Sequence, residues 1–247
     1  MNFALIGRQL SHSYSQNLFD EHFAGSGHTY SLVEIDDLDD LRPTVERLHL
    51  DGFNVTIPYK VDILPLLDDI DDAAREIGAV NTVKVQRTAG RLVLKGFNTD
   101  SAAFAQTISQ FEEQNKSFNI TGALILGTGG AARAVAYALS SLGIGHSLVS
   151  RAPHGDRQID YETAYSLASE RTLIVNATPV GMFPNCGQSP WQRPDLLGPR
   201  HFCYDLIYNP SPTRFLQEAA LRGATTSDGL AMLHLQAHKA WKIWDLE

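Results

Sequence analysis

The chain has 247 residues, enough for two modest domains with a buried core and no need of disulfide or metal staples. Apolar residues make up 43% and charged ones 19%, with no apolar run near the roughly twenty residues of a membrane span and no basic-flanked leader, so the composition reads as a cytoplasmic globular protein. A formal charge of −8 argues against a broad nucleic-acid surface while leaving room for a local phosphate pocket, and Cys186 and Cys203 lack metal-ligand spacing and read as reduced thiols.

Residues 3–6 are a short apolar strand ending at Gly7, and ArgGlnLeuSerHisSerTyrSer leads from it into a helix with Leu18, Phe19, His22 and Phe23 on one face. Ser13 and Ser15 stand just ahead of that helix. Either one is an N-cap, or the two hydroxyls join the unsatisfied helix amides in holding a substrate carboxylate. His12 reads as a locally packed side chain rather than a proton carrier. Residues 30–35 are the next strand, Leu41, Val45 and Leu48 mark a helix crossing back, and residues 52–58 are a third strand halted by Pro58, with Tyr59 and Lys60 opening a new helix. This βαβ rhythm predicts Thr56 and Lys60 at the C-terminal edge of a parallel strand, where open α/β sheets bind ligands. A lysine in a first helical turn opposes the helix dipole. Lys60 is therefore either a solvated surface group or, paired with a carboxylate, an acid–base group for a hydroxyl or carbonyl.

Residues 71–78 form a short helix with acidic residues at its start and a glycine at its end. Residues 79–85 and 91–97 read as a hairpin turning near Ala89 and Gly90. Asn81, inside the first of these strands, needs a hydrogen-bonding partner, backbone or ligand hydroxyl. Asp100 ends the second strand and precedes a helix marked by Phe104, Ile108 and Phe111; without further information its role is an N-cap.

The stretch AlaLeuIleLeuGlyThrGlyGlyAlaAlaArgAla, residues 123–134, reads as a buried strand, a glycine-crowded turn and the start of a helix carrying Val135, Ala138, Leu139 and Leu142 on one face. Gly127 and Gly129 permit backbone angles closed to other residues and let main-chain amides approach a pyrophosphate at the helix N-terminus; Gly130 and Ala132 complete a dinucleotide fingerprint. The strand ending at Ser150 stops 23 residues beyond Gly127, where an NAD site places an acidic residue on the ribose. Ser150 and Arg151 instead offer a hydroxyl and a fixed positive charge, which suits the 2′-phosphate of NADP; the alternative is a solvated arginine. Residues 172–178 are another buried strand, followed by a Pro- and Gly-rich connection over 179–199 of the kind that is functional or mobile. Residues 202–208 close the sheet, residues 213–223 are a helix with a glycine stop, and SerAspGly at 227–229 starts a last helix striped by Leu230, Leu233, Ala237 and Trp241. By themselves Tyr208 reads as a strand-end aromatic and Gln236 as a solvated amide.

Taken together, HisSerTyrSer (12–15), AsnValThrIleProTyrLys (54–60), GlyAlaValAsnThr (78–82), AsnThrAsp (98–100), GlyThrGlyGlyAla (127–131), AsnAlaThrProValGly (176–181) and AspGlyLeuAlaMetLeu (228–233) run along almost the whole chain in an order and spacing that resembles the shikimate dehydrogenase family. The resemblance implies an α/β architecture in two parts, a substrate domain over 1–100 plus 227–247 and a Rossmann-type NADP-binding domain over 101–226, with the reaction in the intervening cleft. It implies NADPH-linked reduction of 3-dehydroshikimate to shikimate without a metal, with Lys60 as acid–base residue beside Asp100. Ser13 and Ser15 would hold the ring carboxylate, Thr56, Asn81 and Asp100 would bind ring hydroxyls, and Tyr208 and Gln236 would reach the substrate. Gly127, Thr128, Gly129, Gly130, Ala131, Ser150, Arg151, Thr178, Leu206 and Gly229 would hold the nucleotide. The expected state is a monomer or homodimer acting on a small molecule, with neither nucleic-acid nor membrane partners. The chain departs from common family patterns at Phe97, Ser101 and Gly155, the last standing where a second basic residue is usual. The rival readings are an NAD-preferring quinate or shikimate dehydrogenase and a catalytically idle nucleotide-binding module; a folate-type dehydrogenase of similar layout finds no support in the paired serines.

Overall fold

The structure, a computed structural model, describes every residue except 9, 11–13, 89 and 247. Ser13 and His12, and with them half of the expected carboxylate site, lie outside the described residues, as does Ala89 at the hairpin turn. The chain divides into two compact units, Met1–Asp100 with Leu233–Glu247, and Ser101–Met232.

The first unit runs β1 (Asn2–Gly7), α1 (Ser15–Phe23), β2 (Thr29–Glu34), α2 (Leu41–Arg47), β3 (Leu50–Val55), β4 (Asp69–Ile70), α3 (Asp72–Ile77), β5 (Thr82–Thr88) and β6 (Arg91–Phe97). Its described strands lie in the order β2-β1-β3-β5-β6-β4. The two βα crossovers make β1 parallel to β2 and β3, while β5 and β6 add as an antiparallel hairpin. Alternation along β1 feeds two cores: Phe3 and Leu5 pack with Phe19, Phe23, Trp241 and Trp244, whereas Ala4 and Ile6 pack with Leu41, Val45 and Phe53. The helix over 72–77 forms for the expected reasons. The Asp71 carboxylate caps it by accepting from the Ala73 amide, and Gly78 ends it at φ 67°, a left-handed conformation that favours glycine.

Three local expectations are corrected here. No helix opens at Tyr59 and Lys60: β3 ends at Val55, and residues 57–63 are a run of turns before a short 3-10 turn at Leu64–Leu66. Pro58 and Pro65 bracket this segment and each removes a backbone donor, so a regular helical ladder has little length in which to establish itself. The dipole argument against Lys60 therefore lapses. Asn81 stands just before β5 rather than within it, and Asp100 opens the following helix rather than ending a strand.

The second unit runs α4 (Asp100–Gln114), whose first residue belongs to unit 1, then β7 (Ala123–Leu126), α5 (Gly130–Ser141), β8 (His146–Val149), β9 (Gln158–Ile159), α6 (Tyr161–Leu167), β10 (Leu173–Asn176), β11 (Phe202–Asp205), α7 (Arg214–Leu221) and β12 (Thr225–Ser227). The last helix, α8 (Leu230–Ile243), begins in this unit and from Leu233 onward belongs to the first. The strands are all parallel in the order β12-β11-β10-β7-β8-β9, the doubly wound arrangement with its switch point between β7 and β10. The strand over 202–205 does not close the sheet, because β12 pairs outside it; three residues carry too little periodicity to be read as a strand. The long connection after β10 is pinned in its second half. Trp191 is fully buried, its indole N–H donates to the Arg193 carbonyl at 2.7 Å, and its ring packs edge-on against Tyr165. Cys186 and Cys203 are free thiols, and burial pushes the Cys203 thiol up to about 12. Among the described residues no helix is long and apolar enough to cross a membrane.

Candidate active site

In the first unit, the turn after β3 and the N-terminus of α4 bring two opposite charges together. The Lys60 ammonium donates to Asp100 Oδ2 at 2.6 Å, with the two side chains only 18% and 8% exposed. Asp100 Oδ1 accepts from Asn81 Nδ2 at 2.9 Å, so both carboxylate oxygens are engaged. The same Asn81 amide donates to Thr99 Oγ1 at 2.9 Å, while its Oδ1 accepts from the Thr99 N–H at 2.7 Å. Backbone bonds fix Asn81 further, its N–H to the Phe97 carbonyl at 3.0 Å and its carbonyl from the Val55 amide at 2.8 Å. Lys60 is held through its own carbonyl, which accepts from the Val80 amide at 2.7 Å. The arrangement presents a lysine charge that is half-buried, paired and oriented, which is what proton exchange with a substrate oxygen requires.

The other expected substrate residues of this unit lie as follows. Thr56 is half-buried at the end of β3, its N–H donating to the Ile6 carbonyl at 3.0 Å. Ser15 is buried and is the first residue of α1; the N-cap is Tyr14, which makes no side-chain capping bond, so the capping role considered for Ser15 does not hold. Gln236 on α8 is not a solvated amide. Its Nε2 donates to the Leu233 carbonyl at 3.1 Å, and its Oε1 lies 3.5 Å from the Thr99 hydroxyl. Thr99 was missed by sequence reasoning, although its place between Asn98 and Asp100 at a strand-to-helix junction is the signal that could have found it.

In the second unit, the glycine turn follows β7 at the switch point. Gly127 adopts φ 112°, its N–H donates to the Val149 carbonyl at 2.9 Å, and a Cβ there would press on the Thr178 methyl at 3.0 Å. Gly129 differs from expectation: its φ of −75° is open to any residue. What it provides is space, since a Cβ there would meet nothing within 4 Å at the exposed N-cap of α5. Thr128, Gly130 and Ala131 are half-buried around it. An open backbone at the N-terminus of a 12-residue helix fits an incoming phosphate group. Beyond the end of β8, Ser150 Oγ accepts from the Ala152 amide at 3.2 Å and Arg151 is exposed.

The ends of β10 and β11 are tied by a buried polar group that sequence reasoning also missed. Asn176 Oδ1 accepts from the Thr178 amide and hydroxyl at 3.0 and 2.7 Å, and its Nδ2 donates to Asp205 Oδ1 at 3.0 Å. Asp205 Oδ1 also takes the Ile207 amide at 3.0 Å and Oδ2 the Thr213 hydroxyl at 2.7 Å. Burial pushes the Asp205 carboxyl up to about 6 against the pull of these three donors. Leu206 follows directly, its N–H bonded to the Asn176 carbonyl at 3.0 Å. Gly229 packs so closely that a Cβ would collide with the Leu206 carbonyl, while Tyr208 is half-buried beyond it.

Known proteins share this arrangement of sequence and fold. A family model described as the shikimate dehydrogenase substrate binding domain matches residues 5–83. A shikimate dehydrogenase (NADP(+)) from Caldicellulosiruptor saccharolyticus is 36% identical over 261 residues, covering 97% of this chain and 90% of that protein. The crystal structure of shikimate dehydrogenase 1 from Peptoclostridium difficile matches with a TM-score of 0.85 at 36% identity, covering 99% of this chain and 91% of the other. A Thermus thermophilus shikimate 5-dehydrogenase solved in complex with NADP(H) and shikimate matches with a TM-score of 0.84 at 32% identity, covering 100% and 94%. With a mixed-sheet unit that carries a lysine–aspartate pair and a parallel-sheet unit that carries a glycine turn at its switch point, the chain belongs to the shikimate dehydrogenase family.

Proposed function

We propose that this chain is an NADP-dependent shikimate dehydrogenase that reversibly reduces 3-dehydroshikimate to shikimate. The observation that carries the reading is the Lys60–Asp100 pair, held at 2.6 Å in the unit whose sequence matches the substrate-binding family model. A nucleotide held by the second unit would supply or accept hydride at the ring carbon that bears the oxygen. As that carbon is reduced its oxygen gains negative charge; Lys60 Nζ lies ready to stabilise that oxygen and give it a proton, and in the reverse direction it takes the proton back. Asp100, with Asn81 on its second oxygen, keeps the lysine head group aimed. Ser15, with Ser13, receives the ring carboxylate, Thr56, Asn81 and Asp100 bind ring hydroxyls, and Tyr208 and Gln236 reach the substrate. On the nucleotide side, Gly127, Thr128, Gly129, Gly130 and Ala131 receive the pyrophosphate, Ser150 and Arg151 the 2′-phosphate, and Thr178, Leu206 and Gly229 the nicotinamide end.

On this reading residues 1–100 with the last helix form the substrate domain and the intervening segment the nucleotide domain. The enzyme then works in the cytoplasm on a free small molecule, as a monomer or homodimer that sedimentation velocity would distinguish. The functional test is an absorbance assay at about 340 nm with shikimate and with quinate, each with NADP and with NAD. Turnover concentrated in the shikimate–NADP pair is the expected result. Faster turnover of quinate, or a preference for NAD, would overturn the assignment of substrate or of Arg151, and nucleotide binding without any turnover would overturn the enzyme itself.

A further inference from the structure

Behind Asn81 lies a buried polar chain on the central strands that the reaction as described does not use. Asn54 sits on β3 between Phe53 and Val55, whose side chains join the core packed by α2; the pleat turns Asn54 to the opposite face, an amide between apolar neighbours and only 5% exposed. Its Oδ1 accepts from the Tyr30 hydroxyl at 2.8 Å, and Tyr30 is itself fixed by stacking on Phe19 at 3.9 Å between ring centroids. Its Nδ2 donates to the Asn81 carbonyl at 3.3 Å and to Thr82 Oγ1, its cross-strand neighbour, at 3.1 Å. A hydroxyl that accepts from an amide still has its own hydrogen to give, and Thr82 Oγ1 gives it to Asn81 Oδ1 at 3.3 Å.

Asn54 thus holds the Thr82 hydroxyl with its hydrogen free for Asn81. The Thr99 N–H, which can only donate, fixes Asn81 Oδ1 on that side, and the Thr82 hydroxyl adds a second donor to the same oxygen. Nδ2 is left pointing at Asp100 Oδ1, which leaves Oδ2 for Lys60. We propose that Asn54, supported by Tyr30 and acting through Thr82, is a positioning residue for the Asn81–Asp100–Lys60 group, touching neither substrate nor nucleotide itself. The proposal rests on the reading of Lys60 and Asp100 as the acid–base pair.

The test is a double-mutant cycle on shikimate oxidation, combining Asn54→Ala with Asp100→Asn. If Asn54 acts through Asp100, Asn54→Ala lowers kcat on the order of tenfold in the parent chain, as loss of one buried hydrogen-bond partner does, and by less than about twofold in the Asp100→Asn background. NADPH affinity, read by fluorescence titration, stays within about twofold, whereas a general loss of structure would move it. Tyr30→Phe removes only the hydroxyl and should show a smaller loss with the same dependence on Asp100; it decides the matter if Asn54→Ala does not fold. Equal losses in both backgrounds, or no loss in either, overturn the proposal. Full turnover by Asp100→Asn alone overturns the underlying acid–base reading instead.

Discussion

Arg151 is exposed just beyond β8, and at that position no carboxylate is present to accept from an adenosine ribose. A guanidinium gains two charge-assisted hydrogen bonds from a 2′-phosphate and little from a bare hydroxyl. Arg151→Ala should therefore raise the apparent KM for NADPH by about tenfold or more and leave that for NADH within about twofold, a split that steady-state assays with both nucleotides would read directly. An equal change for both would mean that Arg151 never meets the phosphate. At this scale the sequence was readable where chemistry shows in residue type: a lysine after a strand, an aspartate before a helix, an amide within an apolar stretch. Asn54, Asn176 and Asp205 were not readable, and Thr99 only through its place at a strand-to-helix junction. Their roles depend on partners 18 to 29 positions away along the chain, brought close only by sheet register.

Among elements, the glycine turn separates two kinds of small residue. Nothing lies within 4 Å of a Cβ built at Gly129, whose backbone is ordinary, whereas a Cβ at Gly229 would enter the Leu206 carbonyl. Gly129→Ala should cost at most about 1 kcal/mol of stability, alanine being the poorer N-cap, yet weaken NADPH binding by about tenfold because the methyl occupies the phosphate's approach. Gly229→Ala should lower the melting temperature as well as the affinity. Calorimetry and fluorescence titration on the two variants distinguish them, and equal melting losses would contradict the account. The βαβ crossovers and the parallel order of the second sheet follow from alternating apolar runs long enough to show a period. The two- and three-residue strands β4, β9 and β12 lack that length, and the turns over 57–63 were mistaken for a helix because Pro58 also suits a helix start.

At the scale of the whole molecule, the first unit is completed by residues that follow all of Ser101–Met232. Trp244 is 3% exposed, donates its indole N–H to the Val83 carbonyl at 3.0 Å, stacks on Phe3 at 4.5 Å, and lies so close to β3 that only a glycine fits at Gly52. Trp244→Ala should cost about 3–5 kcal/mol, measurable by urea denaturation. A loss under about 1 kcal/mol would show that the chain's end is dispensable to this unit.

The proposed reaction presupposes that Lys60 exchanges the proton on the substrate oxygen. The direct measurement is kcat for shikimate oxidation by Lys60→Ala beside its NADPH dissociation constant. A fall of roughly 10²- to 10⁴-fold in kcat with unchanged nucleotide affinity is the result expected of a general acid–base group. Turnover within about threefold of the parent chain, with the nucleotide bound normally, would contradict it.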